Sequence, residues 1–217
     1  GRENGVQKMH CPRVLIQLDS DAQPSVFDAV VAVDSGVDHL LQYGQVTTQG
    51  VRGLVHGAMF TRGPDQLSAT AIFIGGSDVA VGEALAAEVA QTFFGPVRVS
   101  VMLDGNGSNT TAAAAVLCAA RHVDLATVDA LVLGGTGPVG QRVARLLISA
   151  GANVRLVSRD ASRAGQICQQ LSIQASDRQS SDRQSSDRQS GDAQNSGGQL
   201  TPVAAPELAQ HLPRVNA

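Results

Sequence analysis

Aromatic residues are scarce in this 217-residue chain, where they make up 3% of the sequence and tryptophan is absent. The hydrophobic fraction is nevertheless 43% and comes mostly from Ala, Val and Leu, which is enough for a packed core. Small aliphatic side chains suit the close packing of helices on a sheet better than the core of an aromatic-rich β-sandwich. The composition therefore predicts an α/β protein, and the length allows one large domain or two small ones.

Strong charge and long apolar segments are also missing. The net charge of −3 gives no electrostatic reason to expect binding to nucleic acid or to an anionic membrane. No apolar run reaches ~18 residues and no signal-peptide pattern opens the chain, so a cytoplasmic, soluble protein is predicted. The three cysteines, which are widely spaced, fit neither a metal site nor a disulfide framework, and no metal is predicted: Cys11, Cys118 and Cys168.

Residues 130–159 are the most informative part of the sequence, because an apolar strand, a glycine-rich turn, a helix and a second apolar strand follow one another. In the turn, Gly135 permits the tight bend, Gly137 lets the backbone approach a pyrophosphate, and Gly140 lets the helix pack closely on the strand. The helix N-terminus offers N–H groups and a positive dipole end to phosphates. This order predicts a dinucleotide-binding βαβ unit whose turn contacts the cofactor through Gly135, Thr136, Gly137, Pro138, Val139 and Gly140.

The end of the second strand bears on which nucleotide binds. An NAD site usually has an Asp or Glu there, roughly 20 residues past the glycines, to hold the ribose 2′-hydroxyl. This chain has Ser158 and Arg159, with Arg163 one helical turn further on. Because a guanidinium grips a phosphate through two hydrogen bonds, these residues favour NADP, with NAD possible. The alternative is that both arginines belong to a solvated, basic helix start.

Apolar runs separated by turn residues divide the region before this unit into alternating strands and helices. The segment 35–48 is rich in polar side chains and is predicted to be a loop with a short turn. The first helix is predicted to place four apolar side chains on one face: Val26, Phe27, Val30 and Val31. The predicted strands are residues 13–18, 67–74 and 97–103, and the predicted helices are residues 25–34, 49–59, 77–94 and 110–122.

The composition shifts abruptly at residue 176, where Ser-Asp-Arg-Gln-Ser occurs three times in succession. A segment without apolar residues buries too little surface to offset the entropy of ordering, so disorder is predicted. Leu200 to Leu212 then offers one weak amphipathic segment. The predicted organisation is a tail at 1–11, an N-terminal α/β domain at 12–108, a connecting helix at 109–127, an incomplete Rossmann unit at 128–175, a disordered insertion at 176–199 and the remainder of the Rossmann domain at 200–217.

Only two strands are predicted from the start of the nucleotide unit onward, although a mononucleotide-binding half has three. The first residue is Gly rather than Met. We therefore expect the chain to be part of a longer protein.

Several strings in the chain resemble bacterial NAD(P)-dependent methylene-tetrahydromethanopterin dehydrogenases. The similarity covers about residues 12 to 171 and includes the glycine turn and Arg159. Its most distinctive strings are Leu18-Asp-Ser-Asp-Ala-Gln-Pro-Ser-Val-Phe-Asp28, Gly36-Val-Asp-His39, Phe60-Thr-Arg-Gly63, Ala69-Thr-Ala-Ile-Phe-Ile-Gly-Gly76, Phe93-Phe-Gly-Pro96 and Met102-Leu-Asp-Gly-Asn-Gly-Ser-Asn-Thr-Thr111.

The resemblance implies oxidation of methylene-tetrahydromethanopterin to the methenyl form, in the C1 oxidation of formaldehyde. It also implies a homo-oligomer with a three-layer α/β substrate domain before a Rossmann domain and the pterin in a cleft between them. The repeats replace an ordinary helix-and-strand passage of the family. The C-terminal strands, helices and a Lys-containing segment of the family are absent.

Ligands of open α/β sheets lie beyond the carboxyl ends of the strands, where this sequence has three polar loops. Asp19 and Asp21 are predicted to accept hydrogen bonds from the pterin or to stabilise positive charge near the transition state. Asn106 and Asn109 are predicted near the meeting point of nicotinamide and pterin, and they are predicted to be catalytic together with Asp19 and Asp21. Further substrate contacts are predicted from Ser25, Arg62, Asp104, Ser108 and Thr110.

Structural alternatives exist for most of these residues. Asp21 could cap the first helix, and Ser108 or Asn109 the fourth. Arg62 could hold the acidic tail of the pterin or pair with a surface carboxylate. Asp28 and Asp34 are predicted on a solvated helix face, and His39 is predicted to make a structural hydrogen bond.

Two other functions remain open from the residues: a methylene-tetrahydrofolate dehydrogenase on the same scaffold, and a non-catalytic, truncated nucleotide-binding relative. No nucleic-acid or membrane partner is predicted.

Overall fold

The computed structural model describes the backbone of residues 11–185 and 198–207, and the side chains of these residues except 174–185. The chain divides into two compact units, residues 1–107 and residues 108–217. Each unit is built on a parallel β-sheet with helices between its strands. The predicted α/β class is confirmed.

The first unit alternates four strands with three helices. Its sheet is parallel throughout, in the order β2-β1-β3-β4, so β1 and β3 are central. The elements are β1 (Val14–Leu18), α1 (Val26–Asp34), β2 (His39–Tyr43), α2 (Val51–Phe60), β3 (Thr70–Ile74), α3 (Val79–Thr92) and β4 (Ser100–Leu103).

Strand β2 lies inside the segment 35–48 that the sequence predicted as a loop, so that prediction is wrong. β2 is an edge strand with one neighbour, and four of its five residues are exposed. Because β2 is mostly exposed, its sequence lacks the continuous apolar run by which a buried strand is recognised. The polar residues at both ends of β2 make the strand still harder to predict.

The core of the first unit lies between the central strands and two of the helices. Strand residues such as Leu18 and Ile74, which are fully buried, pack with Val55 of α2 and Leu85 of α3. The predicted apolar face of α1 is not part of this core, because Phe27 is 77% exposed and its three predicted partners are exposed as well. Within the described residues of α1, only Ala32 is buried.

The second unit begins with a helix and continues into a three-stranded parallel sheet of order β5-β6-β7. The strand–turn–helix–strand order predicted for residues 130–159 is present. The helix predicted to connect the domains packs against α5, inside this unit. The elements are α4 (Ser108–Ala120), β5 (Asp129–Val132), α5 (Pro138–Ser149), β6 (Asn153–Ser158), α6 (Ala161–Ser185) and β7 (Leu200–Ala204).

Two predictions for the C-terminal part need correction. The backbone of residues 176–185 continues α6, although disorder was predicted. Extending a helix that is already formed at residues 161–173 needs no new nucleation step. The segment that begins at Leu200, predicted as amphipathic, forms the third parallel strand β7 and pairs with β6.

Residues 186–197 of the predicted disordered insertion and residues 208–217 of the predicted remainder lie outside the described residues. So do residues 1–10 of the predicted tail. Of the helices in the described part of the chain, none is long and apolar enough to cross a membrane.

Candidate functional site

Three polar loops meet at the carboxyl edge of the first sheet. Backbone hydrogen bonds join them. The N–H of Gly75 donates to the carbonyl of Leu18, and the N–H of Asn106 donates to the carbonyl of Gly76, each with an N···O distance of 2.9 Å. The loops follow β1, β3 and β4, whose carboxyl ends lie side by side because the strands are parallel. This arrangement brings Asp21, Ser25 and Asn106 together, as the sequence predicted.

Asp19 lies beneath this edge and shapes the first loop. Its side chain is fully buried, and its carboxylate accepts hydrogen bonds from the N–H groups of Asp21 (2.8 Å) and Ser25 (3.2 Å). Burial and these two bonds turn the carboxylate inward. Asp19 is therefore placed to hold the loop, and its predicted direct contact with substrate is not supported by this geometry.

Asp21 links the first loop to the second. Its two carboxylate oxygens accept hydrogen bonds from the backbone N–H of Ser77 (3.0 Å) and from the Ser77 hydroxyl (2.9 Å). The alternative that Asp21 caps α1 is wrong, because the hydroxyl of Ser25 accepts from the N–H of Asp28 and is the cap. Asp21 is thus free of a helix-capping duty and faces the loop cluster.

A cavity of about 390 Å³ opens between these loops. Asn106, which follows β4, has a left-handed backbone (φ 52°) that Asn tolerates better than most residues, and the chain turns there before α4. Among the described residues that line the cavity, none carries a positive charge. The lining residues are Asp21, Gln23, Ser25, Phe27, Asp28, Gly76, Ser77, Asn106 and Gly107.

Asp28 is a charged lining residue that sequence reasoning missed, since it was predicted on a solvated face. Burial raises the pKa of the Asp28 carboxyl; a hydrogen bond with Ser25 lowers it, and the carboxylates of Asp19 and Asp104 raise it further. A Cβ added at Gly75 would lie 3.3 Å from carboxylate oxygens of both Asp19 and Asp28, so glycine leaves room for both groups.

The position of Asp28 had a weak signal in the sequence. It lies three residues after the capping Ser25, in the first turn of α1, where side chains lean back toward the helix N-terminus. That direction leads to the loop cluster rather than to solvent.

The polar residues at the start of α4 belong to the second unit. Asn109, predicted to be catalytic, accepts a hydrogen bond from the guanidinium of Arg142 in α5. Arg142 is 6% exposed and also donates to the carbonyl of Pro138 over 3.0 Å. Asn109 therefore ties α4 to the helix that begins at the glycine turn. Two further predicted residues, Ser108 (buried) and Thr110 (exposed), flank it on α4.

Two predicted substrate residues differ in where they lie. Asp104 is buried at the end of β4, at the carboxyl edge. Arg62 instead donates hydrogen bonds to the carbonyls of Pro12 (2.8 Å) and Ala69 (3.1 Å), which precede β1 and β3. Arg62 is thus at the opposite edge of the sheet, and the structure does not bring it together with the other predicted residues.

The glycine turn of the second unit is held by close packing. A Cβ on Gly140 would lie 2.6 Å from the carbonyl oxygen of Gly134, and one on Gly135 would overlap Leu156. A Cβ on Gly137 would approach nothing closer than 3.4 Å. Packing therefore requires glycine at 135 and 140, whereas Gly137 leaves the surface of the turn open.

Helix α5 starts at this turn, and its N-terminus has features that favour binding of an anion. Gly137 is its N-cap, no side chain caps it, and Pro138 follows in the first turn. Gln141 donates to the carbonyl of Thr136 (2.8 Å) and so fixes the turn from inside the helix. The N-terminal N–H groups and the helix dipole point to a phosphate-binding surface.

The end of β6 carries the residues predicted to select the nucleotide. Ser158 is buried, with its hydroxyl 3.4 Å from that of Thr136. Arg159 and Arg163 are exposed. Asp160 accepts a hydrogen bond from the N–H of Arg163 (3.1 Å), and this carboxylate is therefore engaged at the start of α6.

A second cavity, of about 740 Å³, runs along β5 and the start of α5. Its lining is mainly aliphatic and includes Leu131, Leu133 and Val143. Because β5 is an edge strand of the described sheet, this groove is an uncovered part of the core of the second unit.

The described part of the chain contains no group of three or more metal-ligating side chains. The cysteines are unpaired thiols, and burial raises the pKa of Cys168. A raised pKa disfavours the reactive thiolate, so Cys168 has the properties of an ordinary core residue.

Comparison with known proteins identifies the family. Residues 26–106 match the model of the N-terminal domain of methylene-tetrahydromethanopterin dehydrogenase. The bifunctional protein MdtA of Methylorubrum extorquens is 49% identical over 154 residues, which are 70% of this chain and 54% of that protein. The chain belongs to the methylene-tetrahydromethanopterin dehydrogenase family. This confirms the resemblance seen in the sequence.

Two further comparisons define how far the similarity extends. The NAD(P)-dependent methylenetetrahydromethanopterin dehydrogenase of the same organism is 32% identical over 142 residues, which are 63% of this chain and 48% of that protein. This chain thus spans about half the length of the curated relatives it matches. A dipicolinate synthase from Bacillus halodurans is a distant structural likeness, with 13% identity, a TM-score of 0.33, and coverage of 92% of this chain and 70% of that one.

Proposed function

We propose that this family member takes part in hydride transfer from methylene-tetrahydromethanopterin to NADP⁺, giving the methenyl form. The observation that carries the proposal is the family match over residues 26–106, which contains most of the residues lining the polar cavity of the first unit. The first unit is proposed to hold the pterin and the second unit the nucleotide. The proposed role of this reaction is the oxidation of formaldehyde-derived C1 units. The protein is proposed to be a cytoplasmic homo-oligomer.

The proposed reaction does not require a covalent intermediate with the protein. A C–H bond of the methylene bridge breaks, and its hydride leaves while a neighbouring amine nitrogen shares its lone pair with the carbon. When bound, the nicotinamide ring supplies the acceptor for that hydride. The task of the chain is to hold the two reactants in line and to exclude water.

The residues of the first unit fit the pterin side of this task. Carboxylates of Asp21 and Asp28 border the cavity and favour a ligand with N–H donors and developing positive charge. Ser25 and Asn106 add groups that both donate and accept hydrogen bonds. Phe27 offers an aromatic face at the same cavity for a flat ring.

The residues of the second unit fit a dinucleotide. The open surface at Gly137 and the uncapped start of α5 are proposed to hold the pyrophosphate. Arg159 and Arg163 are proposed to hold the 2′-phosphate of NADP, since their guanidinium groups form no hydrogen bond or ion pair with another described residue.

The decisive test is reduction of NADP⁺ by this 217-residue chain, followed by the absorbance of NADPH, with direct NADP⁺ binding measured in parallel. Methylene-tetrahydromethanopterin and methylene-tetrahydrofolate are supplied in separate reactions. We expect turnover with the pterin substrate. Turnover with the folate alone would contradict the proposed substrate, and absence of NADP⁺ binding would contradict the proposed cofactor site.

A matched pair of variants assigns any activity to the proposed site. Asp21→Ala removes a cavity carboxylate, whereas Asp34→Ala removes an exposed one from the end of α1. A KM for the pterin substrate that is unchanged in Asp21→Ala, as it should be in Asp34→Ala, would separate the reaction from this cavity.

A further inference from the structure

The cavity of the first unit has one carboxyl group whose surroundings differ from those of its neighbours. Asp19 is held by loop N–H groups and Asp21 by Ser77. Asp28 also lines the cavity, but its carboxyl is stabilised by the hydroxyl of Ser25. A half-buried carboxylate with so few donors has capacity to accept more hydrogen bonds.

The charged groups around Asp28 come from three directions, and all are acidic. Asp19 stands at the end of β1, Asp104 at the end of β4, and Asp21 in the loop that lines the same cavity. Together with burial, Asp19 and Asp104 act against ionisation of Asp28. A ligand that donates hydrogen bonds to the ionised carboxylate offsets this cost, whereas an anionic ligand adds to it.

The aromatic ring beside Asp28 restricts the class of ligand further. Phe27 precedes Asp28 in α1, is 77% exposed and lines the same cavity. An aromatic face beside a carboxylate suits a flat heterocycle with N–H donors on its edge. The 2-amino-4-oxo ring of a pterin has such an edge, because its amino group and the adjacent ring N–H point in the same direction.

We propose that Asp28 recognises the amino and ring N–H groups of the pterin through its two carboxylate oxygens and so determines specificity for a 2-amino-4-oxo ring. This inference rests on the proposed function, in which the first unit holds the pterin. Asp28 acts in recognition and takes no part in the transfer of the hydride.

A purely structural role for Asp28 predicts different behaviour. Ser25 and Asp28 occupy the positions of a helix-capping pair, and the Ser25 hydroxyl accepts from the N–H of Asp28 over 3.2 Å. If capping were the whole role, replacing Asp28 would change the melting temperature and leave ligand preference unaltered. Ligand preference is therefore the informative measurement.

The test compares equilibrium binding of pterin and of lumazine, which has a carbonyl in place of the amino group. The carboxylate of Asp28 accepts two hydrogen bonds and matches pterin. The amide in Asp28→Asn accepts one and donates one, and it matches lumazine instead. We expect the native chain to prefer pterin by about tenfold or more, and Asp28→Asn to lose or reverse this preference.

Two controls keep the result interpretable. Asp34→Asn changes an exposed carboxylate on the same helix and should retain the pterin preference. Asp28→Glu retains a carboxylate and should favour pterin over lumazine, with weaker binding, even if Asp28→Asn fails to fold.

The outcomes separate the two proposals. A native chain that binds pterin, together with an Asp28→Asn variant of unchanged preference, overturns the role of Asp28 and leaves the proposed function intact. A native chain that binds neither pterin nor methylene-tetrahydromethanopterin overturns both. A reversed preference in Asp28→Asn supports the inference.

Discussion

In both units the loops that follow parallel strands gather at the carboxyl edge of a sheet, but they present opposite chemistry there. The first unit presents carboxylates and hydroxyls, from Asp21, Ser25 and Asp28. The second presents a glycine turn and the uncapped start of a helix, with Arg159 and Arg163 nearby. One edge is therefore suited to accepting hydrogen bonds from N–H donors, and the other to binding an anion.

The two edges are also held in shape by different forces. In the first unit, side chains bond to the backbone of neighbouring loops, as Asp19 does to Asp21 and Ser25. In the second unit, close packing of backbone at Gly135 and Gly140 fixes the turn. Substitutions at the first edge should therefore act mainly on ligand binding, whereas substitutions at the tightly packed glycines of the second edge should also disturb folding.

The largest effect is expected from Gly140→Ala. Its Cβ would lie 2.6 Å from the carbonyl oxygen of Gly134 and 2.7 Å from the Cα of Gly135, so the turn must move. We expect a loss of about 1–3 kcal/mol in the free energy of unfolding, together with loss of NADP⁺ binding. Denaturant unfolding and nucleotide titration measure the two effects.

Gly137→Ala is the matched control for this prediction. Its Cβ would be no closer than 3.4 Å to any neighbour, so the unfolding free energy should stay near that of the native chain. Nucleotide binding should still weaken, because the Cβ occupies the open surface of the turn. Equal destabilisation by the two substitutions would contradict the distinction between packing and ligand contact.

The next effect concerns the choice of nucleotide. Arg159→Ala should weaken NADP⁺ binding by about 10- to 100-fold and leave NAD⁺ binding almost unchanged, because only NADP⁺ has the 2′-phosphate. Arg121→Ala, an exposed arginine elsewhere in the second unit, is the control and should alter neither. Equal losses for both nucleotides would refute a phosphate contact at Arg159.

Local patterns predicted the glycine turn because its chemistry is contained in a short stretch of chain. Gly135 and Gly140 meet their packing partners within residues 132–156, so spacing alone was informative. The capping of α1 by Ser25 is also local, but the sequence offered Asp21 as a competing candidate for that cap.

Two of the edge strands, β2 and β7, escaped prediction for a physical reason. β2 is exposed along most of its length, so it lacks the apolar run of a buried strand. β7 contains Pro202, which a sheet tolerates at an edge, and β7 is an edge strand of its sheet. Each strand is specified mainly by its neighbour, β1 or β6, rather than by its own sequence.

The site residues that were missed depend on contacts far apart in sequence. Asp28 borders the cavity because the loops after β3 and β4 lie beside the start of α1. Arg142 is recognisable as a positioning residue only once α4 brings Asn109 to it, 33 residues away in the chain. The sequence pattern of a single helix or strand predicts neither the position of Asp28 at the cavity nor the contact between Asn109 and Arg142.

A smaller effect is expected from Asp21→Ala, which removes both hydrogen bonds to Ser77. We expect the KM for methylene-tetrahydromethanopterin to rise several-fold, because the second loop loses its link to the first, and the free energy of unfolding to fall by about 1 kcal/mol. The affinity for NADP⁺ should be unchanged if the two edges bind separate ligands. Steady-state kinetics and nucleotide titration test the two statements, with Asp34→Ala as the control.

The smallest effect is the pH dependence of stability conferred by Asp28. Burial raises the pKa of this carboxyl above its ordinary value of 3.8, so the ionised form is disfavoured in the folded chain. The stability associated with the protonated form is fully present below the unfolded pKa and is lost as pH rises through the folded pKa.

Asp28→Asn cannot ionise and therefore avoids that loss. The Tm of the variant should slightly exceed that of the native chain at neutral pH, and the two Tm values should converge as the pH falls toward 3.8. Thermal melts across this range, with Asp34→Asn as the exposed control, provide the comparison. A constant offset between Asp28→Asn and the native chain at every pH would mean that burial of the carboxylate has no cost, and the two edges would then differ in ligand chemistry alone.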